Sequence, residues 1–285
     1  MKILFIGDII GKSGRKAAEA CIPSLSREYL PDLIIANGEN SAHGYGITEK
    51  VYKELMDMGI DVITMGNHMW DKKEIAKAIE KFPNMVRPAN YPEIVPGKTF
   101  IIFEKNGEKA AIANLLGRTF LPPMDCPFQA IEKLLPSIKQ ETNLIIVDVH
   151  AEATSEKCAL GLFLDGKVSA VIGTHTHVMT ADERILPQGT AFITDVGMVG
   201  CYDSIIGMKK DKILRRFITQ MHDKFEPAEG GVGLFNGVFI EIDPATGKFG
   251  HIPANRLVSS FGCDFHLKID NKNYQIDLLQ RQVYV

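Results

Sequence analysis

Through the first two thirds of the chain, apolar positions follow two alternating rhythms. Short runs rich in β-branched residues, KILFIG from Lys2, LIIANG from Leu33, VITMG from Val62, LIIVDV from Leu144 and VSAVI from Val168, have the length and make-up of buried strands. Between them, TEKVYKELMDM (residues 48–58) and DKKEIAKAIEKF (residues 71–82) place apolar residues at helical spacing. Alternation of this kind predicts an α/β layered fold with a largely parallel sheet. The Asn106-Gly107 pair between TFIIFEK and EKAAIANL predicts a hairpin, so antiparallel strands are mixed in. After a helix predicted over residues 209–221 the pattern turns to strands: LFNGVFIEID, a Pro-Ala-Thr-Gly turn, then strands through YQIDLLQRQVYV. With no Ser- or Pro-rich linker and no internal repeat, residues 1–285 are expected to form a single domain. Its C-terminal strands are expected to join a second sheet, giving a two-sheet sandwich flanked by helices.

Composition adds boundaries. Apolar residues make up 45% and charged residues 24% of the 285, the profile of a globular protein able to bury a large core. A net charge of −3 gives no general attraction to nucleic acid or anionic lipid. Lys209, Lys210, Lys212, Arg215 and Arg216 form one basic cluster, read as the solvated face of a helix. The opening MKILFIGDII carries an acid within a short apolar run and reads as a buried strand, not a signal peptide. No segment approaches the roughly 20 apolar residues of a membrane span. Five scattered cysteines, none spaced as paired ligands, suit reduced thiols, and a cytoplasmic location is expected.

The chemistry lies just past the strands. Asp8, Glu39 with Asn40, Asn67 with His68, His150, and His175 with His177 in GTHTH each follow or end an apolar run. Strand ends of a parallel sheet meet on one rim, where open α/β proteins place their sites. Alternate residues of an extended chain point the same way, so His175 and His177 are expected to share that site. Carboxylate, amide and imidazole together suit hard to borderline divalent metals, Mn, Fe, Co or Zn, and the lack of cysteine argues against a structural zinc. Even with His68 set apart, seven potential ligands are too many for one ion. Two ions about 3.5–4 Å apart, sharing a carboxylate and a hydroxide, would use them all.

In their order, GDII at Asp8, GEN at Glu39 and Asn40, GNHMWD at Asn67 and His68, VDVH at His150 and GTHTH at His175 and His177 resemble the five motifs of calcineurin-like metallophosphoesterases. Two departures stand out: Ile10 replaces the histidine of the first motif, and Glu39 with Asn40 replaces the aspartate of the second. They resemble the bacterial YmdB-like branch, described as 2′,3′-cyclic-nucleotide phosphodiesterases, over the whole chain, including residues 115–128 and 194–207. The resemblance implies a four-layer α/β/β/α sandwich with two mixed sheets. It also implies one metal on Asp8, Glu39, Asn40 and His177, and a second on Glu39, Asn67, His150 and His175. An amide in place of an imidazole hardens the first site, which favours iron or manganese over zinc. On this reading a hydroxide shared by two cations attacks a small cyclic phosphodiester, and His68 serves as general acid or transition-state stabiliser.

Weaker signals have competing explanations. Asp71 is placed either to orient His68 or to cap the next helix. His43, in a glycine-rich loop, and Arg118, after a strand, are candidate walls of the substrate pocket, against plain loop and surface roles. Trp70 is read as packing. GDIIGKS is one residue short of a P-loop, which leaves a nucleotide-binding protein as a lesser alternative. A regulatory or RNA-associated protein with a structural metal is the alternative of a different class. Self-association into a homo-oligomer is left open.

Overall fold

The computed structural model describes residues 1–243, 247 and 259–262. The chain begins β1 (Lys2–Ile6), β2 (Asp8–Ile9), α1 (Gly11–Tyr29), β3 (Leu33–Asn37), α2 (Glu49–Asp57), β4 (Val62–Thr64), α3 (Lys73–Ala78) and β5 (Met85–Val86). It continues with β6 (Phe100–Lys105), β7 (Glu108–Leu116), α4 (Pro127–Glu141), β8 (Ile145–His150), α5 (Thr154–Leu164) and β9 (Ala170–Thr174). Last come β10 (Arg184–Ile185), β11 (Ala191–Ile193), β12 (Met198–Cys201), α6 (Lys210–Thr219), β13 (Gly233–Glu241) and β14 (Ser259–Gly262). One sheet runs in the order β2-β12-β13-β1-β3-β4-β5, with β14 against β13; the other runs β10-β11-β9-β8-β7-β6.

Strand alternation sorts the apolar residues into layers. From β1, Ile3 and Phe5 point into the space between the sheets, where they pack with Ile112, Ile146 and Ile172. Leu4 and Ile6 point the other way, onto Ala18 and Ile22 of α1 and Leu55 of α2. In β8, Ile145, Val147 and Val149 likewise sit beneath Ile131 of α4 and Leu160 of α5. Two-faced strands therefore require helices on both outer faces, and the α/β/β/α order predicted above follows. Burying each such side chain contributes about 1.5–3 kcal/mol of transfer free energy.

Local chemistry sets several element ends. Thr48 Oγ1 accepts the Val51 N–H (3.2 Å) and starts α2. Asn106 and Gly107, at φ 54° and 81°, make the tight hairpin between β6 and β7, in which Lys105 faces Glu108. The expected placement of the C-terminal strands needs correction. The second sheet is built from β6 to β11, and β13 instead enters the first sheet antiparallel to β1, with Ile3 opposite Ile240. There Val238 and Ile240 reach the space between the sheets while Phe235 joins the helix side, so β13 has the two-faced pattern of a central strand. Alternation identifies a strand but does not say which open edge it closes. Apart from Gly247 and residues 259–262, the Pro-Ala-Thr-Gly turn and the strands predicted beyond it lie outside the described residues. Among the described residues, no helix is long and apolar enough to cross a membrane.

Candidate metal centre

β1, β3 and β4 run parallel, so the residues that follow them emerge at one edge of the first sheet. β8 and β9 run parallel in the second sheet. The polar residues from both edges meet, so the rim expected of one sheet is shared by two. His150 at the end of β8 brings Nε2 to 3.0 Å from Glu39 Oε1 and 3.1 Å from Asn67 Oδ1, both carried by the first sheet. His175, past β9, places Nδ1 3.0 Å from the same Nε2, and its backbone N–H donates to Asp8 Oδ2 (3.1 Å). His177 Nε2 lies 3.1 Å from Asn40 Nδ2 and 3.9 Å from Asp8 Oδ1.

These contacts outnumber the protons available to make them. His150 Nε2 carries at most one hydrogen, yet it faces a carboxylate oxygen, an amide oxygen and a second imidazole nitrogen. Asp8 Oδ1 is buried with no hydrogen-bond partner. A fully buried carboxylate oxygen left unpaired is costly unless a cation stands beside it. Glu39, His150 and His175 alone bring ligand atoms within 4.8 Å of one another. At Gly66, a Cβ would overlap Glu39 Oε2 and His150 Nε2, so the chain keeps the centre open by omitting a side chain there. The donor set fits divalent cations. Asn40 presents its amide nitrogen to Glu39 Oε1 and His177, so ligation through Oδ1 requires turning that amide over.

The electrostatics agree with a cation site. Burial raises the Asp8 carboxyl above the usual range against the pull of His177 and His150. Burial acts the same way on Glu39, but His150 and His68 outweigh it and hold that carboxylate below the ordinary range. Burial disfavours charge on His150, yet Glu39, Asp8 and Asp148 lift it to about 9, a sign of strong negative potential. His175 is pushed down to about 3, by burial and then by His150. His177 donates Nδ1–H to the Ile206 carbonyl (2.9 Å), an arrangement that fixes the tautomer with Nε2 facing the site.

His175 and His177 do converge on one site, but not through strand alternation. β9 ends at Thr174, and the two histidines have left-handed φ values of 97° and 64°. Loop geometry aims them, one toward His150 and the other toward Asp8 and Asn40. His68 stands at the margin with its ring half-buried. Its backbone N–H donates to Glu39 Oε2 (2.9 Å), its Nδ1 lies 2.9 Å from Asp71 Oδ2, and Tyr45 meets its ring edge-on at 4.9 Å. Asp71 is thus the imidazole's partner; α3 starts from Lys72 with no side-chain cap, so the capping alternative is overturned. His43 and Arg118 are exposed, and neither hydrogen-bonds to the cluster. His43 lines, with Tyr45 and Lys72, a neighbouring cavity of about 780 Å³. Trp70 packs edge-on against Tyr91. Ile10 is buried with Met198, Met208 and Ile213, an apolar group standing where the wider superfamily has its imidazole.

A buried polar layer beneath the cluster escaped the sequence reading. Asp148 Oδ1 accepts from Thr174 Oγ1 (2.7 Å) and its Oδ2 from Asn37 Nδ2 (3.2 Å), while Thr174 Oγ1 also lies 2.9 Å from His150 Nδ1. Burial lifts the Asp148 carboxyl to about 6. Asn37 Oδ1 accepts the Glu39 N–H (3.1 Å). The signal was present: Asn37, Asp148 and Thr174 each continue the inward-facing alternation of an otherwise apolar strand, two positions after Ile35, Ile146 and Ile172.

Two facing mixed sheets between helices, with carboxylates, amides and imidazoles on their common rim, define the calcineurin-like phosphoesterase fold. The solved structure of the Haemophilus influenzae NAD nucleotidase shares that fold alone, with a TM-score of 0.54 at 14% identity over 95% of this chain and 60% of that one. Within the class, the chain belongs to the YmdB-like protein family, whose model matches residues 4–254. The Bacillus subtilis 2′,3′-cyclic-nucleotide 2′-phosphodiesterase is 54% identical over 248 residues, 87% of this chain and 94% of that protein. A crystal structure of a novel phosphatase from Mycoplasma pneumoniae superposes with a TM-score of 0.84 at 37% identity, over 93% of each chain.

Proposed function

We propose that the protein is a binuclear metal-dependent phosphodiesterase that hydrolyses 2′,3′-cyclic nucleotides at the 2′ ester. The observation that carries this reading is the convergence of Glu39, Asn67, His150 and His175 around one point with too few protons to satisfy them. The name of the Bacillus subtilis relative, 54% identical, supports the substrate class. Asp8, Glu39, Asn40 and His177 would hold one ion, and Glu39, Asn67, His150 and His175 the other, with iron or manganese suited to the oxygen-rich donors. Such ions lower the pKa of a water toward neutrality and neutralise phosphoryl oxygens.

The chain's own residues supply the rest. Glu39, reaching both Asn40 and His150 through Oε1, would serve both sites and offset charge in each. His68 has Nδ1 anchored on Asp71, which orients the ring and leaves Nε2 to give a proton to the departing 2′ oxygen. Its half-exposed position, at the margin and not in the buried centre, suits contact with substrate without metal ligation. A strained five-membered phosphodiester needs little further activation. The test is hydrolysis of 2′,3′-cyclic AMP by purified protein. Activity abolished by a chelator and restored by Mn²⁺ supports the reading, and metal-loaded protein with no turnover refutes it.

A further inference from the structure

The imidazoles at His175 and His177 reach their places through left-handed backbone, which costs of order 1 kcal/mol or more per residue and persists only where neighbours over-determine it. Bonded to the backbone between them is a buried ion pair that the proposed chemistry does not use. Lys157 on α5 and Asp195, in the loop between β11 and β12, are 1% and 0% exposed, with Nζ 2.6 Å from Oδ2. The same Oδ2 accepts the N–H of Thr176 (3.0 Å), the residue between the two histidines. Oδ1 accepts the N–H of Gly197 (2.8 Å), whose carbonyl accepts the Asp8 N–H (3.1 Å). Asp195 is clamped in turn by Thr180, which receives its N–H (3.0 Å) and donates a backbone N–H to its carbonyl (3.0 Å). The stem of Lys157 passes beside Gly173 of β9, where a Cβ would also run into the Thr194 carbonyl, so the end of β9 and the start of the loop after β11 lie in direct contact at this point.

We propose that Asp195, held and charge-balanced by Lys157, is the positioning residue that sets the backbone of Asp8, His175 and His177 together. One carboxylate thereby ties three metal-ligand candidates from two segments, the start of β2 and the loop after β9, to a common frame. Lys157 lets a second carboxylate sit beneath the centre without adding uncompensated negative charge to it. The inference rests on the metal-centre reading above.

The test strips the purified full chain of metal and titrates it with Mn²⁺ by calorimetry, with circular dichroism to select a temperature at which each apo variant is folded. Wild type is expected to bind two ions. Asp195→Asn keeps the shape but turns an NH₂ toward one of the two backbone N–H groups, and both Mn²⁺ affinities should weaken by about 10–100-fold, the range for outer partners of metal ligands. The electron paramagnetic resonance signature of the Mn²⁺ pair should change, and saturating Mn²⁺ should restore most turnover, which loss of folded protein alone does not produce. If that variant does not fold, Lys157→Met with Asp195→Asn removes both buried charges and is measured in its place, with the same weakening expected. Wild-type Mn²⁺ affinity in either folded variant overturns the proposal. Wild type that binds no Mn²⁺ overturns the metal reading itself, a distinct result.

Discussion

Gly66 offers the sharpest test of the centre, because the only change in Gly66→Ala is one methyl group aimed at the proposed ligands. A Cβ there would come closer than 3.0 Å to Glu39 Oε2 and to Cδ2 and Nε2 of His150, whereas ordinary contact begins near 3.4 Å. Those atoms must withdraw by about 1 Å to reach ordinary contact, several times the ~0.2 Å latitude of a metal–ligand distance. Gly66 has no left-handed φ, so alanine brings no backbone strain of its own, and the overlapped atoms are side-chain ends that can move. Overpacking should therefore cost about 1–3 kcal/mol of stability and leave the protein folded. Metal affinity should fall by roughly 10–100-fold and turnover by about 10²-fold, the scale for misplacing a reacting geometry by about 1 Å. Thermal unfolding, Mn²⁺ calorimetry and hydrolysis of 2′,3′-cyclic AMP separate the effects. A folded Gly66→Ala with wild-type Mn²⁺ affinity would refute a centre built on Glu39 and His150.

Glu39→Gln should strip most metal from both sites, since an amide cannot neutralise two cations as a carboxylate does; elemental analysis finding two ions per chain would contradict it. His68→Ala should retain both metals yet lower turnover on 2′,3′-cyclic AMP by roughly 10²–10⁴, with a much smaller loss on a nitrophenyl ester. Equal losses on both substrates would move His68 from acid to electrostatic stabiliser. Asn40→Ala should weaken the ion beside Asp8 and His177, and Asn67→Ala the ion beside His150, each rescued by excess Mn²⁺. Anomalous scattering at limiting metal checks this, and full occupancy next to Asp8 in Asn40→Ala would remove Asn40 from the ligand set.

Much of the centre was legible because ligand chemistry and strand ends coincide in the text. Asp8, Glu39, Asn40, Asn67, His150, His175 and His177 all enter one cluster, as their residue types and places after apolar runs implied. Lys157, by contrast, reads in TSEKCALGLFL as an ordinary helical lysine, and Asp195 as a loop acid. Their pairing spans 38 residues and exists only because α5 and the loop after β11 pack against the same end of β9. Asp71 was undecided for a similar reason: capping and imidazole binding need the same residue in the same place, and only the turn at residues 68–71 selects between them.

The sequence by itself determined what each strand does to its own side chains. Period-two alternation dictates that Ile3 and Phe5 share one face and Leu4 and Ile6 the other, and so forces helices onto both outer surfaces. It likewise determined which carboxylate, amide and imidazole side chains follow the strands. Only the tertiary structure decided which edge β13 closes, that the rim belongs to two sheets, and that left-handed backbone aims His175 and His177. Those outcomes depend on contacts between residues far apart in the chain, whose energies appear only once the sheets have packed, and no local pattern encodes them.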